Sequence, residues 1–126
     1  MQNSGLSNAL NPLISIAHKK VYSIPLILII GWRGSPRIKD EPQHNVKGKI
    51  TEQLLKLLNI KYTILRNSSD LKKFDKQIKI AKNKKQIIAC LIEQGTLEKK
   101  KSNLKKTDFY RLDKEIFFKT LLENLQ

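Results

Sequence analysis

A parallel-sheet α/β fold with flanking helices is what this chain of 126 residues predicts. Three observations carry that expectation. Two apolar runs, Ile24 to Ile30 and Ile87 to Ile92, are continuous rather than alternating, the pattern of strands covered on both faces. Around them lie segments whose apolar residues recur at the three-and-four spacing of a helix. The resulting order of helix, strand, helix, strand, helix, strand, helix calls for crossover connections, and crossovers make parallel sheets.

Each element has its own justification. Ser7 to Lys20 places Leu10, Leu13, Ile14 and Ala17 on one helical face, with Ser7 or Asn8 as the cap and Pro12 in the first turn or at a kink. Pro25 to Ile30 is the first strand. Thr51 to Leu58 reads as a helix capped by Thr51 or a residue just before it, with Leu54, Leu55 and Leu58 inward. Lys61 to Leu65 is the second strand. Ser69 to Asn83 is a further helix, its stripe made by Leu71, Phe74, Ile78 and Ala81 and its solvent side by lysines. Ile87 to Ile92, closed by Gln94-Gly95-Thr96, is the third strand. Residues 98–107, with Lys99, Lys100, Lys101, Lys105 and Lys106, predict a mobile Lys-rich surface loop. Asp113 then caps a last helix that turns Ile116, Phe117, Leu121 and Leu125 inward. The first five residues read as the end of a strand and the turn after it. Three strands alone leave an unpaired edge, so the sheet is expected to be incomplete at its N-terminus, either truncated or completed by another polypeptide.

Composition narrows the classes of function. A hydrophobic content of 40% supports a modest single core. The net charge of +14 suggests nucleic acid, where Lys and Arg neutralise phosphates. Against this, 21 of the 25 basic residues are Lys and only 4 are Arg, and the excess is not interleaved with aromatics. Nucleic-acid readers favour Arg forks and stacking rings. Cys90 is the only cysteine and sits inside an apolar run, which suits inert packing in a reducing cytoplasm. The opening residues lack the order of a signal peptide, and Ile24 to Ile30 is too short to span a bilayer. The expectation is a cytoplasmic chain with no membrane partner.

The polar residues that follow the first strand attract most of the functional argument. Gly31-Trp32-Arg33-Gly34 and Lys39-Asp40-Glu41-Pro42-Gln43-His44 lie where ligands collect in open α/β sheets, beyond the carboxyl ends of strands. An imidazole titrates at about 6.5 in water, which suits proton transfer, so His44 is the candidate catalytic residue; the alternative is a surface His that titrates without consequence. Arg33 offers a planar fork to an anionic substrate, or pairs with Asp40 or Glu41 and holds the loop. Trp32 is read as packing. Asn3, Ser4 and Gly5 stand where a strand end turns into a helix N-terminus, which exposes N–H groups to an anion or polar ring; a plain capping turn is the alternative.

Several of these stretches, in order, carry a family resemblance. Met1-Gln2-Asn3-Ser4-Gly5-Leu6-Ser7-Asn8-Ala9-Leu10-Asn11-Pro12-Leu13, then Val21-Tyr22-Ser23-Ile24-Pro25, Gly31-Trp32-Arg33-Gly34, Lys39-Asp40-Glu41-Pro42-Gln43-His44 and Gly48-Lys49-Ile50-Thr51 resemble the phosphonopyruvate decarboxylase family. That family is thiamine diphosphate-dependent, and the sulfopyruvate decarboxylase alpha subunits are close relatives. The likeness runs from Met1 to about Leu65 and returns faintly at Gly95-Thr96-Leu97 and the last helix. It departs at Ser7, where the family has Gly, at His18, where it more often has an acidic residue, and at Ser35-Pro36-Arg37.

The resemblance implies the latter part of a pyrimidine-binding domain, spanning residues 1–126. It implies decarboxylation of a small 2-oxo acid, 3-phosphonopyruvate or alternatively sulfopyruvate. It makes Asn3, Ser4 and Gly5 cofactor contacts, His44 catalytic, and Arg33, Asp40, Glu41 and Gln43 substrate or loop residues, with no metal ligand in the chain. Thiamine diphosphate and Mg²⁺ would both need residues outside this chain. A diphosphate-binding domain on another chain or a missing segment, and an oligomer, are implied as partners. A decayed, inactive fragment and a basic nucleic-acid module are the competing readings.

Overall fold

The computed structural model describes residues 1–97. The expected Lys-rich loop at 98–107 and the last helix from Asp113 lie outside the described residues. Three strands, β1 (Leu26–Trp32), β2 (Lys61–Leu65) and β3 (Ile87–Glu93), form an all-parallel sheet in the order β1-β3-β2. Helix α1 (Leu10–Pro12) precedes them, α2 (Pro42–Leu57) joins β1 to β2, and α3 (Ser68–Lys84) joins β2 to β3. The chain thus steps outward across a vacant place and returns to fill it. Because parallel crossovers share one hand, outward and return steps put their helices on opposite faces of the sheet.

The packing follows that arrangement. On one face Leu55 of α2 joins Leu6, Leu13 and Ala17 over Leu28, Ile30, Trp32, Ala89 and Leu91. On the other, Phe74, Ile78 and Ala81 of α3 cover Ile88, Cys90 and Leu65. β3 alternates its side chains between the two clusters, so its continuous apolar run is a strand covered on both sides. Cys90 is buried there, and burial pushes its thiol up to about 11, which leaves it protonated and unreactive near neutral pH.

β1 corrects the expectation of cover on both faces. Leu28, Ile30 and Trp32 are buried, while Ile27 and Ile29 are only partly covered. The cause is position: in the described sheet β1 lies at an edge and β3 at the centre, a difference that two equally apolar runs do not encode. The opening residues do lie along β1 as a strand end. The Met1 nitrogen donates to the Ile29 carbonyl at 2.8 Å, Gly31 N–H donates to the Met1 carbonyl at 2.9 Å, and Gln2 bridges Gly31 in parallel.

The helices correct other boundaries. α1 is short and runs into a wider π-helical turn at Leu13–Ala17, which ends at an extended His18. Ala9 precedes it without a side-chain cap, and the Ser7 hydroxyl donates instead to the Ser4 carbonyl. Leu13 and Ala17 are buried as expected, but the change in helical pitch leaves Ile14 exposed. α2 begins at Pro42 rather than near Thr51, with proline at its first position, where the missing N–H costs nothing. α3 carries a capping box: the Asn67 side chain accepts from Ser69 and Asp70 N–H, and Asp70 accepts from Asn67 N–H. Its buried stripe therefore starts at Asp70, which turns inward, and Leu71 is exposed. Among the described residues no helix is long and apolar enough to cross a membrane.

Candidate functional site

All three strands deliver their carboxyl ends to one rim, where the polar residues meet. Immediately after β1, Arg33 and Gly34 turn the chain toward α2. Gly34 has φ +69°, and a Cβ there would fall 1.7 Å from the His44 carbonyl oxygen. A Cβ on Gly48 would fall equally close, 1.7 Å, to the Gly34 carbonyl oxygen. Two glycines fourteen positions apart thus let the first turns of α2 lie directly on the exit of β1. The Trp32 indole N–H reinforces this by donating to the Gly48 carbonyl at 3.0 Å. Trp32 is packing, with its one polar atom satisfied.

Asp40 is the hub of the rim. Its side chain is only 6% exposed, and it accepts from Glu41 N–H at 2.9 Å, Gly34 N–H at 3.0 Å and the Arg33 guanidinium at 3.0 and 3.4 Å. His44 Nδ1 lies 2.9 Å from the same carboxylate. These donors, led by the Glu41 N–H, outweigh desolvation and hold the carboxyl well below the usual carboxylate range. A native pKa below the unfolded value of about 3.9 stabilises the fold above that pH and loses this contribution as pH falls toward the native value. The urea midpoint should therefore drop between neutral pH and strongly acid solution, and the drop should shrink in Asp40→Asn; an equal drop in both would contradict the assignment.

The expected site residues are brought together selectively. Arg33 pairs with Asp40, the loop-holding alternative, while 41% of its side chain stays exposed. His44 and Gln43 sit on the first turn of α2 rather than in a loop. Glu41 is exposed, accepts from Gln43 Nε2 at 2.6 Å, and comes within 3.6 Å of His44 Nδ1. Asn3 is buried and bridges distant segments: its Nδ2 donates to the Arg33 carbonyl at 2.9 Å and to Thr51 Oγ1 at 3.0 Å, and its Oδ1 accepts from Arg33 N–H at 3.3 Å. Ser4 is exposed, and a Cβ on Gly5 would meet nothing within 4 Å, so this side of the turn faces open space. Among the described residues, no group of three or more His, Cys, Asp or Glu could hold a metal ion.

Sequence reasoning missed a second hub. Glu93, the last residue of β3, is buried and accepts from Ser35 Oγ at 3.0 Å and from Arg66 Nε and Nη2 at 3.2 Å each. Ser35 leaves β1 and Arg66 leaves β2, so one carboxylate ties all three strand ends. A lone acidic residue closing an apolar strand was the available signal. His18 lies apart from this rim: with Lys19, Lys20, Asn59 and Gln86 it lines a concavity of about 320 Å³ beside the starts of β2 and β3.

Parallel strands, crossover helices and polar groups gathered at the strand ends define an α/β chain with an all-parallel sheet. Over part of its length it is related to decarboxylases. It is 45% identical over 69 residues to phosphonopyruvate decarboxylase of Streptomyces viridochromogenes, and 44% identical over 69 residues to phosphonopyruvate decarboxylase of Streptomyces hygroscopicus. Each match covers 55% of this chain and 17% of the relative. Sulfopyruvate decarboxylase subunit alpha of Methanococcus maripaludis is 42% identical over 62 residues, covering 49% of this chain and 35% of that protein. The chain thus spans well under half the length of these curated relatives. No family model matches it.

Proposed function

We propose that this chain forms one wall of the substrate site of a thiamine diphosphate-dependent decarboxylase that converts 3-phosphonopyruvate to phosphonoacetaldehyde and CO₂. The observation that carries the reading is the joint hold of Asp40 on Arg33 and His44 at the end of β1, in a chain whose relatives are named as decarboxylases of phosphonopyruvate and sulfopyruvate. When bound, the thiazolium of thiamine diphosphate supplies the electron sink that loss of CO₂ from a 2-oxo acid requires. This chain's residues bind and exchange protons around it. Arg33 offers its remaining N–H groups to the carboxylate or phosphonate. His44 holds or delivers a proton at Nε2. The turn at Asn3, Ser4 and Gly5 borders the cofactor, and Glu41 and Gln43 extend the polar lining. The Mg²⁺ and diphosphate fall to a diphosphate-binding domain, which the active form includes.

Sulfopyruvate is the second reading, favoured by the relative named as a subunit alpha, which matches this chain over a larger share of its own length. The test is to isolate the assembly from its native cells through a tag on this chain and to supply thiamine diphosphate and Mg²⁺. Release of CO₂ from 3-phosphonopyruvate is expected, with His44→Ala slower by roughly a hundredfold, as for loss of a general acid or base. Faster turnover of sulfopyruvate would favour the second reading. Decarboxylation of neither compound would overturn both.

A further inference from the structure

His44 has two ring nitrogens, and among the described residues only one of them faces a partner. Nδ1 lies 2.9 Å from Asp40 Oδ1, whereas Nε2 makes no hydrogen bond among the described residues. An ionised carboxylate is an acceptor only, so the proton in that contact has to sit on the ring. Every other group around Asp40 is also a donor: the backbone N–H groups of Gly34 and Glu41, and the Arg33 guanidinium. All of these donors are directed at the carboxylate, and none of them donates to Nδ1. Asp40 is nearly buried and His44 is 21% exposed, so the carboxylate backs the ring from within the rim.

We propose that Asp40 is a positioning residue that fixes His44 as its Nδ1–H tautomer and leaves Nε2 as the nitrogen that takes up and releases a proton. Which nitrogen of a histidine is available is set by the hydrogen bond made by the other. Here that bond belongs to a carboxylate held rigidly by four further donor contacts, with Arg33 sharing Oδ1 with the ring. The charged groups around the imidazole are Asp40 itself, Glu41, whose Oε2 is 3.6 Å from Nδ1, and the Arg33 guanidinium, which shares Asp40 Oδ1 with the ring. The two carboxylates reinforce a proton at Nδ1. The inference deepens the proton-transfer role given to His44 above and rests on it for its functional meaning, but the tautomer is a property of the chain itself.

The test reads the ring directly. Long-range ¹H–¹⁵N spectra of the labelled full chain, recorded at a pH where the imidazole is neutral, distinguish a protonated nitrogen from a bare one. The expected result is a protonated Nδ1 and bare Nε2 for His44 in the unaltered protein, with the opposite tautomer dominant in Asp40→Ala. Asp40→Ser serves if the alanine variant fails to fold, because its hydroxyl can still accept from the neighbouring N–H groups. A bare Nδ1 in the unaltered protein overturns the proposal, and so does an Nδ1–H tautomer that persists in a folded Asp40 variant. If the spectra behave as expected but His44→Ala leaves turnover of the isolated assembly unchanged, Asp40 still sets the tautomer, and it is the catalytic reading of His44 that falls.

Discussion

Gly48→Ala is expected to destabilise the protein by about 3 kcal/mol or more, the upper end of what overpacking costs. The sign is the informative part. In the middle of an ordinary helix the same change stabilises by roughly 0.5 to 1 kcal/mol, because alanine is the better helix former. Gly48 lies within α2, yet its added Cβ would stand 1.7 Å from the Gly34 carbonyl oxygen and 2.3 Å from the carbon. That neighbour is backbone and cannot swing aside as a side chain could. Relief requires α2 to move off the end of β1, and with it the Trp32 bond to Gly48 and the loop around Asp40. Urea unfolding measures the cost, and Gly5→Ala is the control, since its Cβ meets nothing within 4 Å. A Gly48→Ala protein as stable as the parent would mean that α2 and β1 do not approach as described.

Leu91→Ala should cost about 2 to 5 kcal/mol, the range for removing a buried leucine where the surroundings cannot collapse. Leu91 is fully buried in the central strand, paired in register with Ile30 of β1 and Ile64 of β2, and packed in the cluster that holds Leu28, Trp32 and Leu55. Collapse around it is blocked by the hydrogen-bonded strands on either side. A small domain has about 5 to 15 kcal/mol in all, so this one truncation removes a large share. Leu57→Ala, at an 82% exposed position, should stay within about 0.5 kcal/mol. Equal midpoints for the two variants in urea would contradict the placement of β3 at the centre.

The parts of the fold that were legible in the sequence are those written in local patterns. Lys61 to Leu65 and Ile87 to Ile92 are strands within one residue of expectation, and Phe74, Ile78 and Ala81 form the buried stripe of α3. The start of α2 was hidden because Gly48 mimics a helix breaker, when its lack of a side chain answers to a contact with Gly34 that no local pattern records. Leu71 was expected inward because it stands three residues before Phe74, but Asp70, four residues before Phe74, takes the inward place as part of the capping box. The site divides in the same way. Arg33, Asp40 and His44 are close in sequence and could be grouped by eye. The Asn3 bond to Thr51 and the Ser35 bond to Glu93 join residues 48 and 58 positions apart, and polar pairs at such separations leave no periodic trace.

Glu93 has a consequence for motion. Loops at the ends of parallel strands are ordinarily free to fluctuate one by one, each with its own local opening energy. Here the exits of β1 and β2 share a single buried carboxylate at the end of β3, so Arg66 cannot leave without stranding a buried charge, and Ser35 cannot leave without taking one hydrogen bond from it. Opening at this end of the sheet is therefore collective. Movement of one strand exit is felt at its neighbour, and the rim behaves as a single body.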